Sequence, residues 1–361
     1  MAKKLAFDAL LFTTVLALVG LGVAMVFSAS ATAGIRSDDG LNPFLVKQLL
    51  AAGVGLVALL VLMHVDYRHL RRKTVVYGLL GAVTTLLIVA LLGPSVRGTQ
   101  RWIDLGPVSI QPSELAKLVL VVYLAYLASQ DVKARSMPRL LIPAAVVSAV
   151  LAWLVYLGRD LGSALMLGAV AGLMLFLAGV PWAYLGVAVV SLVPAVISSI
   201  LLVPYRWKRL EAFLDPERFR QSSGFQPFQS LVAVGSGGVF GLGLGGGYQK
   251  LHYLPDANSD FVYAILAEEL GLMGALGVLV LFGLLFWRGV TAGLRAPDDF
   301  GRYLAWGLVG CLTIQALIHA SVSLVILPTT GITLPFLSYG GSSLVVTLLA
   351  SGVLLNISQH G

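Results

Sequence analysis

The chain has 361 residues, 58% of them hydrophobic and only 11% charged, with a formal net charge of +7 at pH 7 and a mean hydropathy of +0.91. So little polar surface could not cover a core of that size in water, which excludes an ordinary soluble domain and implies a polytopic membrane protein. The basic residues are scattered without aromatic interleaving, so no nucleic-acid partner is expected and the positive charge reads as a topology signal.

In chain order, apolar runs long enough to cross a ~30 Å hydrocarbon core fall at 6–27, 44–64, 74–93, 112–130, 139–157, 160–179, 182–203, 261–287, 301–326 and 335–356. They predict an all-α fold of about ten transmembrane helices in one integral membrane unit over 1–361. The first run follows Met1-Ala2-Lys3-Lys4 and is expected to be a retained helix, since no polar mature domain comes after it. If the spans alternate, Lys3, Lys4, Arg68, Arg71, Arg72, Lys73, Lys133, Arg135, Arg139, Arg288, Arg295 and Arg302 share one side. They outnumber Arg36, Lys47, Arg97, Arg101 and Arg159 on the other. The richer side is expected to face the cytoplasm, and both termini with it. Cys311, the single cysteine, lies in the ninth span, which excludes an intrachain disulfide and a cysteine metal site.

Charges that interrupt this pattern are the candidate functional residues. Before the fourth span, "RGTQRWIDLGPVSIQPSELAKL" (97–118) places Arg101 and Trp102 at the interface, as an aromatic anchor or as a hold on an anionic headgroup. Pro112 and Ser113 make a helix start. Glu114 and Lys117, at i and i+3, then share one face just inside the membrane, where an ionisable pair is either functional or a lock between helices. Asp160 opens the sixth span, as a helix cap or as a site residue.

The segment 204–260, between the seventh and eighth spans, is a single large extracytoplasmic loop. Loops of that length are usually functional or disordered, and its aromatics and its cations, Arg209 and Lys250 among them, together with a helical pattern at 205–214, favour order. Within it, "GSGGVFGLGLGGGYQK" (235–250) lacks the Gly-Lys-Ser/Thr of a nucleotide-binding loop. It reads as a flexible connector, as backbone that binds an anion, or as chain that re-enters the membrane. "HYLPDANSDFVYAILAEELG" (252–271) then sets Asp256 and Asp260 directly before the eighth span, with Glu268 and Glu269 deeper, where they are expected to pack against polar partners. "LPTTGITLPFLSYGGSS" (327–343) forms a tight turn between the last two spans. His319, in an otherwise apolar span, is expected to be a satisfied buried histidine, not a metal ligand.

Six ordered stretches, "RWIDLGPVSIQPSELAKL", "DLGSAL", "FLDP", "QSLVAVGSGGVFGLGLG", "LPDANSDFVYAILAEELG" and "LPTTGITLPFLSYGGSS", resemble the successive signatures of the SEDS family (shape, elongation, division and sporulation). "MVFSASA" (25–31), "FLVKQL" (44–49) and "GLGLGGGYQKLHYLP" (241–255) look more like its division-type FtsW branch than its elongation-type RodA branch. The resemblance implies a peptidoglycan glycosyltransferase of the bacterial cytoplasmic membrane, which polymerises lipid II at the outer face in division or elongation. Its implied partners are lipid II, a class B penicillin-binding protein and other division or elongation membrane proteins.

The family's pattern Leu-Pro-Glu-x-His-Thr-Asp-Phe puts its essential carboxylate at Asp260. That residue is then the base that takes the proton from a sugar 4-hydroxyl. Asp256 replaces the family's Glu, Asn258 and Ser259 replace its His and Thr, and His319 stands where it often has Asn. The resemblance also makes Glu114, Lys117 and Asp160 supporting residues. The leaving diphosphate needs positive charge, from Arg101, Lys117, Arg209 or Lys250, or from a divalent cation such as Mg or Mn. A lipid II flippase and a non-catalytic division scaffold are the competing readings.

Overall fold

A computed structural model describes residues 7–30, 42–95, 98–106, 109–130, 137–251 and 253–360. The charges at Lys3, Lys4, Arg36, Arg97, Lys133 and Arg135 lie outside the described residues. In chain order the helices are α1 (Ala9–Ala29), α2 (Pro43–His64), α3 (Lys73–Leu92), α4 (Pro112–Ala128), α5 (Met137–Leu157), α6 (Leu161–Leu177), α7 (Trp182–Leu201), α8 (Pro204–Leu214), α9 (Phe225–Gly237), α10 (Val262–Arg295), α11 (Asp299–Ser323) and α12 (Gly341–Ser358). Between α3 and α4 a short antiparallel ladder pairs β1 (Ile103–Asp104) with β2 (Ser109–Ile110). Strands of two residues leave no periodicity to read, and the sequence did not announce them.

Among the described residues, eight helices are long and apolar enough to cross a membrane. The 17-residue helices α4 and α6 fall at the fourth and sixth expected spans. Each is about 26 Å long at ~1.5 Å per residue. Caps set several boundaries. Asp8 accepts from the Leu11 amide and starts α1, Asn42 accepts from Phe44 and Leu45 ahead of Pro43, and Asp298 accepts from Gly301. The tenth span was expected from 335, but α12 begins at Gly341. The amides of Leu337 and Ser338 turn back onto the Leu334 carbonyl, and Pro335 has no amide to continue a helix from upstream.

The core sits where α4, α11 and α12 meet. Helix α4 is buried on nearly every face, while α7 buries only Ser199 fully and exposes its Val and Leu side chains. An outer surface that apolar is at home against acyl chains, and all regular backbone within the spans is helical, as a bilayer demands.

Helix α10 is interrupted at Gly271, with φ 66° and ψ −166°. The Leu272 and Met273 amides, which a continuous helix would direct to the carbonyls of Glu268 and Glu269, instead donate to Gly238 (2.9 Å) and Val239 (3.1 Å). The freed carbonyls of Glu268 and Glu269 accept from the amides of Leu242 (3.0 Å) and Gly243 (2.9 Å). The glycine-rich stretch is thus spliced into the helix, with every exchanged backbone group satisfied. A Cβ on Gly241 would stand 2.1 Å from the Glu269 carbonyl oxygen, and one on Gly271 2.3 Å from the Gly241 amide nitrogen. Both residues also hold positive φ, so side chains are excluded twice over. The flexible-connector reading of this stretch is corrected: its backbone is docked.

Candidate active site

The turn that carries the two aspartates is built before α10 begins. Asp256 adopts φ 52°, and its carbonyl accepts the amides of Ser259 (3.1 Å) and Asp260 (3.0 Å). The turn is clamped from outside. The Tyr339 amide donates to the Asn258 carbonyl (2.8 Å), and the Ser338 hydroxyl donates to that of Ser259 (2.6 Å) while accepting the Leu334 amide (2.8 Å). Asn258 and Ser259, which stand in the family's His and Thr places, therefore contribute backbone oxygens that hold the turn.

Asp260 is half-buried at the end of this turn. Burial raises its carboxyl pKa above the ordinary value and the Asp256 charge raises it further, opposed by a hydrogen bond from Ser259 and by the Arg101 and Arg209 charges. Four of the expected residues, Asp256, Asp260, Arg101 and Arg209, are thereby in one electrostatic neighbourhood. A fifth joins through Arg101, whose Nη1 lies 3.4 Å from Asp160 Oδ2. Asp160 also caps α6, accepting from the Ser163 amide and hydroxyl (2.9 Å each) and from Gln111 Nε2 (3.4 Å). Asp160 is thus the cap of α6, and its ion pair with Arg101 sets it beside the candidate site.

Arg209, on α8, lies over the Tyr205 ring at 4.6 Å and donates from Nη1 to the Thr329 carbonyl (3.0 Å). The segment between α11 and α12 thus reaches the same place, and a Cβ on Gly331 would lie 3.5 Å from Asp260 Oδ2. Two polar atoms here, Arg101 Nε and Thr330 Oγ1, are buried without a partner among the described residues. Such orphans are costly, and a ligand oxygen offers relief.

Glu114 and Lys117 form a separate group deeper in the bundle. Lys117 Nζ meets Glu114 Oε1 at 2.9 Å and Gln315 Oε1 at 2.6 Å, and Gln315 Nε2 donates to the Thr333 carbonyl at 2.9 Å. The pair flanks a cavity of about 20 Å³ that Cys311, Gln315 and Thr347 also line, room for about one water. Gln315 escaped sequence reasoning. A glutamine one turn before His319 in an apolar span was the signal.

Lys250 stands elsewhere, which corrects its expected place beside the diphosphate. Its Nζ lies 2.6 Å from Glu269 Oε1 and 2.9 Å from Ser28 Oγ, with 4% of the side chain exposed. Ser28 donates to Glu269 in addition, and Glu268 accepts the Tyr248 and Gln249 amides. The deeper glutamates thus find the polar partners expected of them, and this knot fastens the glycine-rich stretch to α1 and α10. His319 is buried and bonded at Nδ1 to the Ile332 carbonyl (2.8 Å), while its Nε2 has no partner among the described residues. The satisfied-histidine expectation is half met. Among the described residues no three His, Cys, Asp or Glu side chains converge as a metal site would require.

The family model described as "cell cycle protein" (FtsW, RodA, SpoVE) matches residues 8–361. A probable peptidoglycan glycosyltransferase FtsW of Geobacter metallireducens is 42% identical over 358 residues, 98% of this chain and 95% of that one. Stage V sporulation protein E of Bacillus subtilis is 42% identical over 369 residues, 99% and 98% of the two chains. Among solved structures, a chain from work on the structural coordination of polymerization and crosslinking by a peptidoglycan synthase complex superposes with a TM-score of 0.79 at 31% identity, covering 98% of each chain. The Thermus thermophilus rod shape determining protein RodA gives 0.72 at 31% identity, covering 99% of this chain and 98% of that one.

Proposed function

The chain belongs to the FtsW/RodA/SpoVE family of cell cycle proteins, with FtsW-like relatives over its full length, and from that premise we propose that it is a peptidoglycan glycosyltransferase polymerising lipid II. Asp260 is the base. It takes the proton of the acceptor sugar's 4-hydroxyl as that oxygen attacks the donor's anomeric carbon. The bond from that carbon to the diphosphate oxygen breaks with inversion, and the undecaprenyl diphosphate leaves with the electron pair. The observation that carries this reading is the half-buried Asp260 carboxyl, its proton affinity raised, beside two guanidinium groups. A base that holds its proton more tightly than an ordinary aspartate drives proton removal further, and the arginines meet the charge that develops on the leaving group.

Arg101 and Arg209 are the diphosphate-binding cations. Asp160 orients Arg101 through the 3.4 Å ion pair and leaves its buried Nε free for a phosphate oxygen. Asp256 adds to the raised proton affinity that burial gives Asp260. Glu114, Lys117 and Gln315 support the site from the bundle through Thr333. A divalent cation, were one bound, would have to draw most of its ligands from the diphosphate and water, since no three such side chains converge among the described residues, and it would add positive charge at the leaving group. The protein lies in the bacterial cytoplasmic membrane with both termini inside and the Asp260 end outside, and it works beside a class B penicillin-binding protein that cross-links the strands.

The test is glycan-strand formation from purified lipid II by the parent and by Asp260→Ala, each alone and with a class B penicillin-binding protein. Polymer from the parent and a loss of about 10²-fold or more in a folded variant is expected, since a positioned base contributes roughly 10²–10⁴-fold. Equal polymer from both removes Asp260 from the chemistry. No polymer from the parent under any condition returns transport or scaffolding.

A further inference from the structure

The segment Thr329–Thr333 has no regular structure of its own, yet it passes beside Asp260, whose Oδ2 would lie 3.5 Å from a Cβ on Gly331. Three of its carbonyls are held by side chains. Arg209 Nη1 binds Thr329 (3.0 Å), His319 Nδ1 binds Ile332 (2.8 Å) and Gln315 Nε2 binds Thr333 (2.9 Å). Gln315 and His319 are one turn apart on α11, so they share a face, and both are almost fully buried. Between the held carbonyls hangs Gly331, with φ 74°, at the Asp260 carboxylate. Because the Ile332 carbonyl can only accept, the proton of a neutral His319 ring is on Nδ1, which leaves Nε2 as the unpartnered acceptor.

We propose that His319 is a positioning residue for Asp260: its Nδ1–H, with Gln315 beside it, clasps the Ile332–Thr333 backbone so that Gly331 closes over the carboxylate and keeps water from it. This rests on Asp260 being the base. The charged groups that act on Asp260 are Asp256, Arg101 and Arg209, and of these Arg209 meets the clasped segment, through its bond to the Thr329 carbonyl. The substitution removes none of these charges, and the carbonyl that seats Arg209 lies three residues from the clasped Ile332, so its first effect is on packing and hydration at the carboxylate.

Three variants decide the matter in lipid II polymerisation assays. Asn places an amide donor near the position of the imidazole Nδ1, Gln places it near Nε2, and Leu supplies none. His319→Leu and His319→Gln are expected to lose about tenfold or more in kcat with KM for lipid II little changed, because a small misplacement of a reacting group is costly. Their acid limb should move to lower pH, since admitting water to Asp260 relieves the burial that raises its pKa. His319→Asn should recover most of the rate and restore the limb. His319→Leu and His319→Gln at the parental rate and limb overturn the proposal, as does an Asn variant no better than Gln at equal thermal stability. Should the Leu protein fail to fold, the Gln and Asn pair, both polar and close in volume, carries the comparison. Asp260→Ala run alongside separates the two claims: an active Asp260→Ala defeats the base assignment, whereas an inactive one beside a normal His319→Gln defeats only the clasp.

Discussion

The Lys250–Glu269 pair gives a sharp test of depth against chemistry. Lys250→Met keeps the length and apolar stem of the lysine and removes its charge, leaving Glu269 with 0% of its side chain exposed and, among the described residues, Ser28 as its one remaining side-chain partner. Stripping one partner from a buried ion pair costs about 3–5 kcal/mol, because the remaining charge is uncompensated. With an unfolding entropy of about 2.1 cal/mol/K per residue, a chain of 361 residues has roughly 0.8 kcal/mol per kelvin at its midpoint. A loss of about 4 kcal/mol therefore lowers Tm by about 5 °C. Adding Glu269→Gln removes the stranded charge, and the double variant should regain most of that loss, since replacing both members of a buried pair is often near neutral. Thermal unfolding in detergent, followed by intrinsic fluorescence for all members of the cycle, reads this directly. Polymerisation by the folded double variant should stay within a few-fold of the parent. An unchanged Tm in Lys250→Met together with abolished polymerisation would refute the structural role and return Lys250 to the diphosphate.

Other outcomes follow from the same geometry. Asp256→Asn removes a repulsion that raises the Asp260 pKa, so the acid limb of the rate profile should shift to lower pH; Arg209→Gln removes an attraction and should shift it to higher pH. Limbs that move the opposite way would separate that limb from Asp260. Gly241→Ala forces a Cβ onto the Glu269 carbonyl at positive φ and should abolish monodisperse protein on size-exclusion chromatography. Gly235→Ala, which meets open space within a helix, should be neutral or stabilising by up to about 1 kcal/mol in thermal unfolding. Cys311 is buried within α11, so a membrane-impermeant maleimide should leave it unlabelled until the protein is denatured, as mass spectrometry would show.

The spans were legible because a bilayer requires a long uncharged run wherever a helix crosses, and two of their starts because Pro112 and Asp160 are first-turn and cap residues in any context, whereas the start of α1 was read at 6, across its Asp8 cap. The Glu114–Lys117 pair was legible too, since i and i+3 on a helix share a face whatever surrounds them. What stayed hidden depended on contacts between distant segments. Arg101 and Asp160 are separated by two helices in sequence, and nothing local says that one ends beside the other. Lys250 looked like a loop cation because its surroundings in sequence are polar and glycine-rich; only the docking of that stretch onto α10 carries it to Glu269. The late start of α12 was visible in Pro335 and Gly340, but the apolar residues around them outweighed the turn in a pattern read for hydrophobicity alone.

The break at Gly271 also bears on how the chain is assembled in the bilayer. The portion of α10 from Leu272 to Trp287 is uncharged and apolar, and can enter the membrane on its own hydrophobicity. The portion from Val262 to Leu270 contains two glutamates and is too short to cross. Its last carbonyls find donors only when residues 242 and 243 fold back onto them. The stub that carries Asp260 at its head is therefore finished by tertiary docking, not by insertion. A variant defective in that docking would still be threaded through the membrane with every span in place, but with its aspartate unseated.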